Sequence, residues 1–302
     1  MNELITVAIL TYNRKIILRE SLLKIFSQDY KDIEVIVVDN GSCDNTEDML
    51  KNDFPLVQII RENENLGASA INKAFKVAKG KFILVLDDDS YPTNFAIKKA
   101  IEQFENNKIG VVALNIFNKN LDWHETKYFE QFPLSFVGCG VIIRKNILIE
   151  LNGYDPNIFI YQNELDLALN ILNKNYIIYY EPGAVIIHNY LLNDSKINSI
   201  LTPFRYKHFF ISTYYIIRKN TSGYLQYRLL ITLIINRLLI LLKYNYTDEF
   251  IWALKMCFKK NKIINTPVQN RIQKKITTTI KFIDRDYFAS QIKFVKKYFW
   301  AK

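Results

Sequence analysis

Three consecutive carboxylates, Asp87, Asp88 and Asp89, close the apolar run Leu84-Val85-Leu86 with no cation beside them. Hard oxygen ligands crowded in this way suit Mg²⁺ or Mn²⁺, ions that keep coordination positions open for substrate phosphates. The chemistry this predicts is capture of a diphosphate through a shared divalent ion. An isolated Asp triplet is ordinarily a solvated acidic turn. The buried-strand character of the residues ahead of this one is what points to a metal.

Two further apolar runs end in polar tips. Ile5-Thr6-Val7-Ala8-Ile9-Leu10 breaks into Thr11-Tyr12-Asn13-Arg14, and Ile33-Glu34-Val35-Ile36-Val37-Val38 breaks into Asp39-Asn40-Gly41-Ser42. Both read as short strands. Helical stretches at 15–26, 46–51 and 68–78 alternate with these runs and with a strand at 82–86. That alternation predicts an α/β fold with a mostly parallel central sheet and right-handed helical crossovers. Ligands of such sheets bind outside the carboxyl ends of the strands, so Thr11, Asp39 and the aspartates should converge on one crevice. A helix at 95–104, strands at 109–115 and 138–144, a turn at 153–156, a helix at 165–172 and an apolar run ending at His188 continue the pattern.

The chain has 302 residues, 49% of them hydrophobic, enough for a packed core. Its net charge of +10 conceals an asymmetry. From Leu191 onward there are 21 Lys+Arg against 5 Asp+Glu, or +16, leaving 19 against 25, or −6, for residues 1–190. We therefore expect an acidic α/β domain at 1–190 and a basic, mainly helical region at 191–302, suited to an anionic membrane surface or a nucleic acid. The run Leu229–Leu242 is very apolar but contains Arg237, and reads as too short and too charged to span a bilayer. A helix lying on the membrane surface, or a buried hairpin helix, fits it better. Three scattered cysteines, Cys43, Cys139 and Cys257, suggest a reducing compartment and read as structural or incidental, and the N-terminus shows no signal-peptide pattern.

Thr11-Tyr12-Asn13-Arg14, Val37-Val38-Asp39-Asn40-Gly41-Ser42, Asn63-Glu64-Asn65-Leu66-Gly67 with Asn72, and Gly80-Lys81-Phe82 leading to Asp87-Asp88-Asp89 together resemble the ordered motifs of family 2 glycosyltransferases with the GT-A fold. Each motif alone is weak, but four in order within ninety residues are specific. Gly138-Cys139-Gly140 with Arg144, and Gly153-Tyr154-Asp155, resemble the family's acceptor-side segment. Tyr161-Gln162-Asn163-Glu164-Leu165-Asp166-Leu167 resembles the stretch that usually reads Glu-Asp-x-Asp-Leu, with Asn163 replacing the first acid and Glu164 at the position of the base.

The resemblance implies an inverting, metal-dependent transfer of one sugar from a UDP- or dTDP-sugar to a hydroxyl of a glycan or lipid-linked glycan in cell-surface polysaccharide assembly. It places Glu164 as catalytic base and Asp89, Asp87 and His188 on Mn²⁺ or Mg²⁺. Thr11, Asn13, Arg14, Asp39, Asn65, Gly67, Asn72, Asp87 and Asp88 are assigned to the nucleotide sugar, with Asp39 on the pyrimidine ring, and Gly140 and Asp166 to the acceptor side. A lone His at a strand end is equally compatible with a structural role. Arg61 and Lys73 read as surface charges. The expected location is cytoplasmic, at the inner face of the cell membrane, with peripheral contact through the basic region.

Other classes fare worse. A Rossmann oxidoreductase needs a glycine-rich turn after its first strand, where this chain has Thr11-Tyr12-Asn13-Arg14. Basic and aromatic residues interleave in Phe204-Arg205-Tyr206-Lys207-His208-Phe209, as in single-strand nucleic-acid binders, but the apolar run that follows favours a membrane interface. A degenerate, non-catalytic nucleotide- or glycan-binding protein is the remaining alternative, and Asn163 is its one support. A processive synthase is disfavoured by the lack of a Gln-x-x-Arg-Trp motif.

Overall fold

The computed structural model describes residues 3–120, 122–126, 129–189, 202–259, 263–270 and 272–273. The chain divides into two compact units, Met1–Phe159 with Asn163–Ile197, and Ile160–Gln162 with Asn198–Lys302. The expected boundary at 190/191 lies outside the described residues. The brief excursion of 160–162 into the second unit has no counterpart in the sequence pattern.

In the first unit β1 (Ile5–Thr11), β2 (Ile33–Asp39), β3 (Gln58–Arg61) and β4 (Phe82–Asp87) run parallel in the order β3-β2-β1-β4. Their side chains alternate between two faces, and both faces are covered. Ile5, Val7, Ile9, Val37, Leu84 and Leu86 pack with Leu18 and Leu22 of α1 (Lys15–Ser27) and Leu50 of α2 (Thr46–Asp53). Ala8, Ile36, Val38, Ile83 and Val85 pack on the other side with Phe75 of α3 (Asn72–Val77). Each fully buried Leu, Ile or Val contributes about 1.5–3 kcal/mol, which explains why the strands read as continuous apolar runs. β3 escaped the sequence reading because it is a short, half-exposed edge strand.

Beyond β4 the sheet continues as a mixed sheet. β5 (Ser90–Pro92) pairs antiparallel with β9 (Ile177–His188), and β6 (Ile109–Asn118) lies parallel to β9 and antiparallel to the two-residue β7 (Trp123–His124). β8 (Val141–Arg144) runs antiparallel to both β4 and β6. Among the described residues no helix lies between β6 and β8, and a strand reached without a helical crossover returns in the opposite direction. α4 (Ala96–Glu102) lines the first core, and α5 (Lys145–Glu150) and α6 (Asn163–Asn173) line the second. Arg144, expected on the acceptor side, instead donates to the carbonyls of Ile109 at 2.8 Å and Phe104 at 2.7 Å.

In the second unit the described helices are α7 (Pro203–Asn220), α8 (Gly223–Tyr244) and α9 (Thr247–Lys259). Thr202 caps α7 by accepting from the Arg205 N–H, with Pro203 in the first turn. α8 is longer than the apolar run that announced it. At 22 residues it is long and apolar enough to cross a membrane by length and composition, which corrects the length expected from sequence. Arg237 is buried on one side of it, its guanidinium 5.0 Å from the Phe209 ring centroid and 5.8 Å from that of Tyr206, while the Tyr206 hydroxyl donates to the Arg237 carbonyl at 2.8 Å. The opposite side exposes Tyr224, Tyr227, Ile231, Ile234, Leu238 and Leu242 at helical spacing.

Candidate active site

Register sets the crevice. Leu10 pairs with Asp87, Thr11 with Asp39, and Asp39 with Arg61, so the polar residues that end β1, β2, β3 and β4 share one rim. Many of them serve as scaffold. Asp39 is fully buried, accepting from the Ser42 N–H at 2.9 Å and from Arg61 Nη1 at 3.0 Å, so Arg61 is no idle surface charge. A pyrimidine N–H would have to share these oxygens. Asn13 accepts from the Cys43 N–H at 2.8 Å, and its own N–H donates to Ser42 Oγ at 2.8 Å, stapling the first two strand tips. Asn65 accepts from Asn40 Nδ2 and from the Gly67 N–H, both at 2.9 Å. Gly67 has φ +71°, and an added Cβ would lie 2.1 Å from the Phe159 carbonyl oxygen. Asn72, expected on the donor, spends its amide on the Tyr154 backbone, donating to the carbonyl and accepting from the N–H, both at 2.8 Å. Lys73, read as a surface charge, pairs with Glu62.

The acidic loop splits its three carboxylates. Asp88 is buried, accepting from Thr11 Oγ1 at 2.8 Å and from Arg14 Nη1 at 2.6 Å. Arg14 Nη2 donates to Asp89 Oδ2 at 2.7 Å. Thr11, Arg14 and Asp88, which the resemblance assigns to the nucleotide sugar, here tie the loop together. Burial pushes Asp88 up to about 7 in spite of Arg14. Asp89 is likewise buried, but hydrogen bonding and charge from His188 and Arg14 outweigh the desolvation and hold it below the usual carboxylate range. Asp87 is the accessible member. Though open to solvent, it is recessed within the surrounding protein, and that desolvation, with the Asp89 charge, raises it to about 6.

β9 brings His188 to this loop, level with Ser90. Its Nε2 stands 3.2 Å from Asp89 Oδ1, and its Nδ1 lies 2.6 Å from Glu125 Oε1. Burial works against charge on this imidazole, but Asp89, Cys139 and Glu125 together shift it strongly upward. Asp87, Cys139 and His188 place one potential ligand atom each within 4.8 Å of one another. Continuing the β4/β8 register puts Cys139 level with Asp87, so this cysteine borders the site and is not incidental. Its thiol is pushed up to about 12 by burial and stays protonated.

The donor set fits a hard divalent cation. Asp89 Oδ1 is buried and faces the His188 imidazole edge at 3.2 Å, and Asp87 faces the crevice beside it. Cys139 is too soft and too firmly protonated to be a preferred ligand for Mn²⁺ or Mg²⁺.

Glu164 lies in the first turn of α6, immediately after Tyr161 and Gln162, whose φ values of 63° and 66° are both left-handed. Burial raises its carboxyl to about 7, its backbone hydrogen bond opposes the rise, and the charge of Asp87 adds to it. Gly138 makes room for it: a Cβ there would lie 2.6 Å from Glu164 Oε1. Tyr154, also buried, feels the charges of both Glu164 and Asp87, so the three are neighbours. Two residues expected on the acceptor side lie within the packed protein. Asp166 is buried and accepts from Asn170 Nδ2 at 3.3 Å, one helical turn along, and Gly140 lies against Ile116 and Ile186 in the sheet core. Glu125 was missed altogether, because a single Glu in the 119–140 connection carries no spacing signal.

A sugar-nucleotide-type α/β unit with a buried acidic strand tip and a carboxyl group raised toward neutrality defines a class of transferase, and the comparisons give the family. Residues 6–167, more than half of the chain, match Glycosyl transferase family 2. The chain belongs to that family and is a glycosyltransferase of the GT-A fold. It is 31% identical over 180 residues to the Escherichia coli UDP-Glc:alpha-D-GlcNAc-diphosphoundecaprenol beta-1,3-glucosyltransferase WfaP, covering 57% of this chain and 71% of that protein. It is 33% identical over 122 residues to glycosyltransferase GlyG of Streptococcus pneumoniae serotype 4, covering 39% of this chain and 40% of GlyG. Among solved structures, the mannosyltransferase PcManGT of Pyrobaculum calidifontis, in complex with GDP-Man and Mn²⁺, superposes with a TM-score of 0.61 at 18% identity, covering all of this chain and 89% of that one. Staphylococcus aureus TarS 1–349, in complex with UDP-GlcNAc, gives 0.59 at 18% identity, covering 83% and 79%.

Proposed function

We propose that the protein transfers one sugar, with inversion, from a UDP- or dTDP-sugar to a hydroxyl of a glycan or lipid-linked glycan in cell-surface polysaccharide assembly. The observation that carries this is the meeting of Asp87, Asp89 and His188 at the rim where Glu164 also stands. Asp89, Asp87 and His188 would hold Mn²⁺ or Mg²⁺, which when bound supplies a Lewis acid for the negative charge on the leaving diphosphate.

The chain's own residues do the rest. Glu164 takes the proton of the acceptor hydroxyl as its oxygen bonds to the anomeric carbon, and the bond from that carbon to the diphosphate breaks with its electron pair leaving on the nucleotide. Attack from the face opposite the leaving group inverts the configuration. Arg14 holds Asp88 and Asp89 in fixed positions, so little reorganisation accompanies the reaction. Asn163 is buried, and its replacement of an acid leaves the more open Glu164 in place.

A panel of UDP- and dTDP-sugars tests the reading. One of them, with Mn²⁺, raises the melting temperature and is turned over, and EDTA abolishes both effects. Donor binding indifferent to EDTA would sink the metal-bridged reading.

Membrane contact is part of the same proposal. The exposed apolar side of α8 is flanked by Arg228 and Lys243, and amphipathic surfaces of this composition bury themselves at anionic lipid interfaces. A location at the cytoplasmic face of the cell membrane follows, where the acceptor named for WfaP, a diphosphoundecaprenol, would be met. The protein is expected to float with vesicles of phosphatidylcholine and phosphatidylglycerol. Ile231→Glu combined with Leu238→Glu should leave it in the pellet fraction, and equal flotation of both proteins would remove α8 as the contact.

A further inference from the structure

We propose that Glu125 is a positioning residue that fixes the ring and tautomer of His188, so that Nε2 is the edge offered to the acidic loop. The inference rests on the metal-bridged reading above and adds a residue no motif supplied. Three observations carry it. Glu125 Oε1 lies 2.6 Å from His188 Nδ1, a charge-assisted distance, while Nε2 on the far edge stands 3.2 Å from Asp89 Oδ1. Glu125 is itself held, its N–H donating to the Ile116 carbonyl at 2.9 Å, and its carboxylate is within 3.5 Å of Asn118 Nδ2. Strand register then fixes the other half: His188 pairs with Asn118 on β6 and with Ser90 on β5, so the ring lies between the Glu125 segment and the acidic loop.

An imidazole free to flip about χ2 would divide its time between two edges. A carboxylate accepting from Nδ1–H removes that freedom and turns the Nε2 edge toward the acidic loop, the arrangement by which carboxylates behind ligating histidines raise metal affinity.

The test is Mn²⁺ affinity, measured without donor by electron paramagnetic resonance, together with the ¹⁵N shifts of the His188 ring. Glu125→Ala is expected to weaken Mn²⁺ about 10- to 100-fold and to mix the tautomers. Glu125→Gln, whose amide oxygen still accepts from Nδ1–H, should recover most of the affinity. A double-mutant cycle separates positioning from general damage: in a His188→Ala background, Glu125→Ala should cost nothing further. Wild-type affinity in Glu125→Ala, or an equal additional loss in the His188→Ala background, overturns the assignment. If the wild-type protein itself binds no Mn²⁺, it is the metal reading that fails.

Discussion

Glu164→Gln abolishes transfer but strengthens the fold. Loss of a positioned general base typically costs about 10²- to 10⁴-fold in rate, and donor binding measured by calorimetry should persist because Glu164 is not among the groups assigned to the donor. The wild-type rate should fall as pH drops through about 7, since the base must be ionised and its carboxyl is raised to about 7 by burial. The stability effect has the opposite sign. A carboxyl raised in the folded state binds its proton more tightly there than in the unfolded chain. Its charged form is therefore penalised on folding, fully above the folded value and not at all below the ordinary one. Glu164→Gln should melt higher than wild type at about pH 8, with the gap closing toward about pH 4.5. Full turnover in this variant would remove Glu164 from the reaction.

Asp89→Asn is expected to uncouple the protein from divalent ions. The wild-type protein at about a hundredfold excess of Mn²⁺ over its dissociation constant should gain about 2.7 kcal/mol of stability by mass action. The variant should gain almost none and should lose transfer by about 10²- to 10³-fold, the usual cost of removing one preorganised electrostatic partner. It should also melt lower without metal, because Arg14 and His188 both lose the charge that faces them. An Mn²⁺-dependent rise in melting temperature equal to wild type would place the ion elsewhere. Asp88→Asn separates the roles within the triplet: it should weaken the Thr11 and Arg14 ties and leave Mn²⁺ affinity nearly intact.

The α/β class and the crevice were readable because β1, β2 and β4 are buried on both faces, and such strands must be written as unbroken apolar runs. The Asp87–Asp89 cluster stood out because carboxylates at the end of such a run are expensive without a purpose, whereas the roles of His188 and Glu164 came only from the family resemblance. Two things were not readable. Which polar residues are scaffold and which face the crevice depends on distant partners, 77 positions away for Thr11 and Asp88 and 82 for Asn72 and Tyr154. Spacing motifs name both kinds alike. The mixed sheet was also hidden, since β8 is as apolar as the parallel strands β1, β2 and β4 and direction leaves no trace in four residues. Glu125 and Cys139 enter only through that long-range pairing.

The reversal of β8 is what brings two kinds of segment to the same place. Parallel strands all finish on one side of a sheet, and their beginnings lie on the other. Because β8 runs against β4, its start, with Gly138 and Cys139 just ahead of it, opens beside the finish of β4 at Asp87. One strand laid backwards thus seats a glycine against Glu164 and a thiol beside the aspartates on the same ledge. Lengthening the 119–140 connection should be tolerated where it loops outward, but any slip of β8 by a single residue would exchange Cys139 for its neighbour and turn the ledge inside out.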